Sequence, residues 1–280
     1  MSPVRELCEV LERRRVGAYQ ALTLVAPRIA EHARPGQFVH VLAGQDRSFP
    51  LRRPFSIHRV ERPRAGLGAV EIVFDVVGAG TLALSRLRPH DVVDVLGPLG
   101  RPFTPPEAPT GCLLVGGGYG SAPLFSLADA LRARECRVDF LLGAGSQDRV
   151  FGELEAKRTA GVVAVCTDDG SLGRRGTVAD ALPDEIERTG AAAVYACGPM
   201  PMLRAVGAVA ASYGLPCQVA VEESMACGIG VCMTCVLPVV GEDGVTRMSR
   251  SCVDGPVFEH DRVRWDDVGT VPADALGATS

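Results

Sequence analysis

Val115-Gly116-Gly117-Gly118-Tyr119-Gly120-Ser121-Ala122-Pro123 joins a short apolar run to a stretch of helical pattern, and its reading decides the fold. Read from Gly118 it is G-x-G-x-x-P, a relative of the dinucleotide-binding turn. Glycines let a pyrophosphate approach the backbone, and the start of the following helix offers unpaired amides and the positive end of its dipole. Pro123 in the first helical turn sacrifices no needed donor. A plain tight strand-to-helix turn uses the same residues, so the neighbourhood must decide. Apolar strand candidates at 112–115, 138–142, 162–166 and 192–197 alternate with helical patterns near 122–134, 177–189 and 199–213. That alternation implies βαβ units around a parallel sheet.

Ligands of such sheets lie at the carboxyl ends of the strands. Cys197-Gly198-Pro199-Met200-Pro201-Met202 falls at one such end and Asp168-Asp169 at another. With Gly116, Gly117, Gly118 and Gly120, the residues Asp168, Cys197, Gly198, Pro199 and Met200 are therefore candidates to hold a nicotinamide nucleotide. A carboxylate at 168 can accept a ribose hydroxyl and repels a 2′-phosphate, which favours NAD over NADP. Asp-Asp-Gly-Ser is also an ordinary turn, and Cys197 by itself reads as a buried small hydrophobe.

Upstream, residues 1–103 alternate apolar and polar residues in short runs, as in Gln37-Phe38-Val39-His40-Val41-Leu42, with Gly and Pro between them. This is the pattern of antiparallel strands closing a small barrel. Arg101-Pro102-Phe103-Thr104-Pro105-Pro106-Glu107-Ala108-Pro109 then breaks regular structure and reads as a linker. Within the barrel segment, Arg53-Pro54-Phe55-Ser56 lies between strand patterns, and Gly78-Ala79-Gly80-Thr81 opens a helical stretch. An arginine can clamp a pyrophosphate bidentately, a serine hydroxyl can reach a flavin ring, and a helix start adds amides. Together, and ahead of a nucleotide domain, they point to a flavin.

Ten cysteines are unevenly spread. Cys227-Gly-Ile-Gly-Val-Cys232-Met-Thr-Cys235 followed by Cys252 is C-x4-C-x2-C with a distant fourth cysteine, the plant-type 2Fe–2S spacing. Thiolates are soft donors that suit iron, and Gly228 and Gly230 allow a tight loop whose amides point at sulfur. Four-cysteine zinc sites more often use two C-x2-C knuckles, and only one is present. The chain thus divides into a barrel at 1–103, an α/β domain at 110–216, a cluster subdomain at 217–262 and a tail at 263–280.

A net charge of −4, with scattered arginines and Lys157 the only lysine, excludes a basic nucleic-acid face. No run of 18 apolar residues occurs, so a soluble, cytoplasmic protein without membrane spans is expected. The five histidines are scattered and read as surface or strand residues, and no His/Asp/Ser constellation suggests acid–base catalysis.

Taken in order, R-P-F-S, G-x-G-T, G-x-G-x-x-P and C-G-P-M resemble the ferredoxin–NADP reductase superfamily. The cysteine segment, led by Glu222-Glu223-Ser224-Met225-Ala226-Cys227-Gly228, is similar to that of one branch, the electron-transfer subunits of NAD-dependent B-type dihydroorotate dehydrogenase. The resemblance runs to about residue 262. It implies FAD on the barrel near Arg53, Pro54, Phe55, Ser56, Phe74, Asp75, Val76, Gly80 and Thr81. It also implies NAD at the glycine turn and Cys197–Met200 positions, and cluster ligation by Cys227, Cys232, Cys235 and Cys252. Where relatives often carry an aromatic–basic pair, this chain has Phe74-Asp75, and an acid cannot make a basic contact to pyrophosphate. The implied partner is an FMN-containing subunit that oxidises dihydroorotate, in a hetero-oligomer, with no catalytic acid or base needed here. A diaphorase subunit of a sulfhydrogenase, sulfide dehydrogenase or bifurcating transhydrogenase shares this architecture, and a zinc-stapled binding module is the non-redox alternative.

Overall fold

The structure, a computed structural model, describes residues 3–42, 50–64 and 67–278. The strands β1 (Val4–Val16), β2 (Tyr19–Val25), β3 (Phe38–Leu42), β4 (Arg53–Arg64), β5 (Leu67–Phe74) and β6 (Val92–Leu99) close a barrel in the order β1-β2-β5-β4-β3-β6. Every pairing in it is antiparallel. The expected alternation is the reason it closes: Val39 and Val41 of β3 point inward with Leu22, Leu24, Ile57, Ile72 and Val95, as the period of two demands. Two short helices, α1 (Pro27–His32) and α2 (Ala79–Leu84), pack on the barrel and bury Ile29 and Leu84 in its core. The Thr81 hydroxyl accepts from the Val77 and Gly78 amides at 3.0 and 3.1 Å and so caps α2.

The second half is the expected parallel sheet. Its strands are β7 (Gly111–Gly117), β8 (Arg137–Ala144), β9 (Val163–Thr167), β10 (Arg174–Arg175), β11 (Ala193–Cys197), β12 (Cys217–Ala220) and, later in the chain, β15 (Val257–Glu259). They lie in the order β10-β9-β8-β7-β11-β12-β15, parallel except for β15 against β12. Central β7 is buried on both faces, as its unbroken apolar run requires. Cys112 and Leu114 meet α3 (Ala122–Arg132). Leu113 and Val115 meet α5 (Val178–Thr189) and α6 (Met200–Ser212). A further short helix, α4 (Glu153–Thr159), follows β8.

Between β12 and β15 the chain leaves the sheet for the cysteine segment, which holds the hairpin β13 (Val236–Val240) and β14 (Thr246–Arg250). Both ends of that segment are thus hydrogen-bonded into one sheet. Barrel and sheet share packing: Tyr19 and Val73 join the core of α3, and the His58 ring contacts the Ala122 carbonyl oxygen at 2.8 Å. His40 and His58 are strand residues as expected but are buried, and His260 lies in a turn, buried and stacked on Trp265. That last histidine is neither surface nor strand, because Trp265 and the α6 backbone cover it. Among the described residues no helix is long and apolar enough to cross a membrane.

Candidate functional site

The cysteine loop is shaped by its glycines. Gly228 and Gly230 have φ of +70° and +81°, a region costly for other L-residues. The turn this allows aims the amides of Ile229, Val231 and Cys232 at Cys227 Sγ, at 3.5, 3.3 and 3.4 Å. The Thr234 hydroxyl donates to Cys232 Sγ at 3.2 Å. That bond, followed by the backbone amides, lowers the Cys232 thiol to about 6, toward the thiolate that binds metal. Burial pushes Cys252 up to about 12, so its ligation would release a proton. The Ser251 amide and hydroxyl both donate to the Cys235 carbonyl, at 2.9 and 2.7 Å, fixing Cys252 beside Cys235. Cys235 and Cys252 are buried while Cys232 is exposed. Among the described residues no three His, Cys, Asp or Glu side chains converge as a single-ion site would. The fit to an iron–sulfur cluster rests on the four soft donors, their spacing and the N–H···S bonds.

The loop packs on the outer face of the barrel. Phe38 forms one apolar cluster with Leu99, Cys235 and Cys252, against which Met225 packs. His40, two residues along β3 and on the same face, is fully buried, and both its ring nitrogens lack a hydrogen-bond partner among the described residues. Burial, with the Arg52 cation adding to it, lowers the imidazole to about 4, so the ring is neutral near pH 7.

A cavity of about 480 Å³ opens between barrel and sheet, lined by Arg53, Pro54, Phe55 and Ser56 from the start of β4 and by Phe74, Asp75 and Thr81. Gly120, Cys197 and Gly198 close it from the sheet side, and Glu222 to Met225 with Phe38 close it toward the cysteines. A Cβ on Gly80 would lie 2.6 Å from Arg53 Nε, so glycine there lets the guanidinium rest on the start of α2. An arginine over a helix start is chemistry suited to a pyrophosphate. Val76 lies outside this cavity and its neighbour Val77 lines it instead. Burial raises Glu222 and Glu223.

A second cavity, of about 450 Å³, is lined by Gly117, Gly118, Tyr119, Asp168, Pro199 and Met202, with Tyr19, Arg149 and Thr177. The two cavities share Tyr119 and meet at the Cys197-Gly198-Pro199 turn. That contact needs glycine: a Cβ on Gly120 would come within 2.8 Å of Gly198 Cα. Gly116 is covered by Ser121, and Met200 packs against the sheet core without lining either cavity. Asp169 is spent on the turn, accepting from the Ser171 amide and hydroxyl at 2.9 and 2.6 Å, which leaves Asp168 to face the cavity. Asp75 pairs with Arg149 at 3.0 Å across the two domains, so its charge meets a cation of the protein itself. A third hollow, about 440 Å³ beside Arg204, His260 and Trp265, holds none of the residues singled out in the sequence.

Phe38, His40, Tyr19 and Arg149 carry no motif, and Tyr119 is a variable position of the glycine turn. The one available signal was for Glu222 and Glu223, which follow the carboxyl end of β12, where parallel sheets bind ligands.

A barrel with an arginine-led cavity, joined to a parallel sheet with a glycine turn, defines the ferredoxin reductase class of flavin–nicotinamide proteins, here with a cysteine loop added. Residues 222–264 match the family model described as the iron-sulfur cluster binding domain of dihydroorotate dehydrogenase B. Residues 114–207 match that of the oxidoreductase NAD-binding domain. The dihydroorotate dehydrogenase B (NAD(+)) electron transfer subunit of Desulforamulus reducens is 39% identical over 241 residues, covering 86% of this chain and 90% of the relative. That of Geobacillus thermodenitrificans is 39% identical over 260 residues, covering 91% and 96%. The chain belongs to the family of dihydroorotate dehydrogenase B electron transfer subunits. Among solved structures, NADH-dependent reduced ferredoxin-NADP oxidoreductase, described for flavin-based electron bifurcation, superposes with TM-score 0.81 at 31% identity, covering 94% of this chain and 91% of that one. The ferredoxin NADP+ reductase of Neisseria gonorrhoeae shares the fold at TM-score 0.61 and 14% identity, covering 75% and 92%.

Proposed function

We propose that this chain is the electron-transfer subunit of an NAD-dependent dihydroorotate dehydrogenase, working in the cytoplasm in pyrimidine biosynthesis. It serves an FMN-containing partner subunit that oxidises dihydroorotate to orotate, and it delivers the electrons to NAD+. The carrying observation is the amide-lined four-cysteine loop, packed through Phe38 and Met225 against the Arg53 cavity. Once bound, the 2Fe–2S cluster handles single electrons, and FAD links these to the two-electron hydride chemistry of NAD.

The protein's own residues bind and orient. The barrel (1–103) holds FAD: Arg53 and the start of α2 at Gly80 and Thr81 take the pyrophosphate, while Pro54, Phe55, Ser56 and Phe74 flank the ring system. The sheet domain (110–216) holds NAD, with Gly117 and Gly118 admitting its phosphates, while Gly116 and Gly120 let the turn pack closely on Ser121 and Gly198. Asp168 would accept from a ribose hydroxyl, and Cys197, Gly198 and Pro199, with Met200 packed behind them, would form the turn that holds the nicotinamide end. Asp75 acts through Arg149 rather than on the flavin phosphates, and Val76 supports the wall that Val77 lines. Cys227, Cys232, Cys235 and Cys252 of the third segment (217–262) ligate the cluster, and 263–280 is a tail.

The test is to purify the chain with its co-isolating subunit and follow NAD+ reduction with dihydroorotate. NADH and orotate should form in equal amounts. The 31% identity to a bifurcating oxidoreductase favours one second reading, a diaphorase subunit serving another partner. Absence of orotate, with NADH-linked turnover of ferredoxin, sulfide or polysulfide instead, would replace the first reading by the second.

A further inference from the structure

His40 is a buried polar group that nothing in the flavin or nicotinamide cavities uses. It stands on β3 opposite Pro54 of β4 and Leu96 of β6. Its neighbours Val39 and Val41 face the barrel core, so the ring is turned outward, on the side of Phe38 and the cysteine loop. The Phe38 ring lies edge-on to it at 5.7 Å. On the loop side, a Cβ on Gly228 would fall 2.5 Å from the ring's Cε1 and 2.6 Å from Nδ1. The imidazole therefore touches the backbone of the residue that follows Cys227. Yet neither nitrogen has a hydrogen-bond partner among the described residues, and the side chain is shut off from solvent. A neutral imidazole always carries one N–H, and a buried N–H without an acceptor is costly. Cys235 and Cys252 share one buried cluster with Phe38 beside the ring, so thiol sulfurs are among the groups the loop packs on this side.

We propose that the buried imidazole of His40 donates its N–H to a sulfur of the cluster held by Cys227, Cys232, Cys235 and Cys252, and thereby raises the cluster's reduction potential. This rests on the cluster reading of the loop. Hydrogen bonds to the sulfurs, together with burial, set the potentials of iron–sulfur centres. A donor on the sulfurs favours the reduced, more negative form. Phe38, edge-on to the ring, lines the flavin cavity, so one side chain separates His40 from it.

The experiment uses the complex with its partner subunit, titrated electrochemically and followed by electron paramagnetic resonance of the reduced cluster. His40→Leu removes the donor, while His40→Asn keeps an N–H of shorter reach. With iron and sulfide content as in wild type, H40L should have a roughly tenfold lower ratio of reduced to oxidised cluster at a fixed potential, a fall of about 59 mV for a one-electron couple. H40N should recover part of that shift. An unmoved potential in loaded H40L, or equal shifts in both variants, overturns the proposal. Should H40L not load, wild type labelled with 15N-histidine decides. A nitrogen coupling to the reduced cluster that disappears in H40N supports the bond, and no histidine coupling, or one that persists in H40N, refutes it. Wild-type protein lacking sulfide and iron would sink the cluster reading itself, a result read before any variant is made.

Discussion

Gly228 and Asp168 show how much single positions carry. Gly228 has φ of +70° and no room for a Cβ against His40. Gly228→Ala meets both obstacles, with the left-handed backbone alone costing about 1–2 kcal/mol. We expect purified G228A to contain well under the wild-type iron and to melt earlier, as iron per chain and a thermal scan will show; wild-type values in both would remove the strain argument. Asp168 faces the cavity proposed for the nicotinamide nucleotide, with its carboxylate free of the Ser171 turn that occupies Asp169. A hydrogen bond from a ribose hydroxyl to a charged acceptor is worth about 1.5–3 kcal/mol. Asp168→Ala should therefore lower kcat/KM for NADH by about tenfold or more in a dye-reduction assay and narrow its lead over NADPH. Unchanged discrimination would leave residue 168 as turn only. Both residues were visible in the sequence because their chemistry is local. His40 and Arg149 were not, because burial and a cross-domain ion pair arise only when distant segments meet.

At the level of elements, the barrel seam gives a pH test. Asp94 on β6 meets Arg5 of β1 at 2.8 Å and Arg52, just ahead of β4, at 2.7 Å. Burial pushes its carboxyl up, but the hydrogen bonds from Arg5 and Arg52 and their charges outweigh this and hold it below its ordinary 3.8. A depressed carboxylate contributes stability that is complete above the unfolded value and is lost as pH falls through the folded one. Wild type should thus melt about 2 °C above Asp94→Asn at pH 7, and the gap should close as pH drops below 3.8. A gap that persists at lower pH would mean that shape, not charge, matters at the seam. The elements themselves were unevenly legible. Strand alternation and the helices near 122–134, 177–189 and 199–213 came through because each buries a face long enough to show its period. The helices α1 and α4 did not, since six or seven residues span barely two turns. Nor could any local pattern show that β12 and β15 would return the cysteine segment to one sheet edge, because strand order is set by pairing between distant segments.

At the scale of the molecule, the cavity proposed for the flavin lies between barrel and sheet, and the cysteine segment closes one side of it through Met225, packed beside Phe38 of β3. A loop so placed has an inner side turned to the cavity and an outer side turned to solvent. On the outer side Ile229, Val231, Met233 and Val253 are 50%, 75%, 50% and 38% exposed around the exposed Cys232. Apolar side chains grouped around a redox site, with no cover of their own, suit a surface that another subunit buries. Val231 contributes its amide to Cys227 Sγ through the backbone alone, so its side chain can be changed without removing that bond. Fully burying a valine is worth about 1.5–3 kcal/mol, and a polar amide at the centre of an interface forfeits it. Val231→Asn should therefore weaken association with the FMN subunit about tenfold or more, measured by sedimentation or calorimetry of the two loaded subunits. NADH-driven dye reduction by the isolated chain should be unaffected, since that reaction needs only the flavin and nicotinamide cavities. Wild-type affinity in V231N would place the partner on another face, and the cluster's exposed edge would then need a different electron donor.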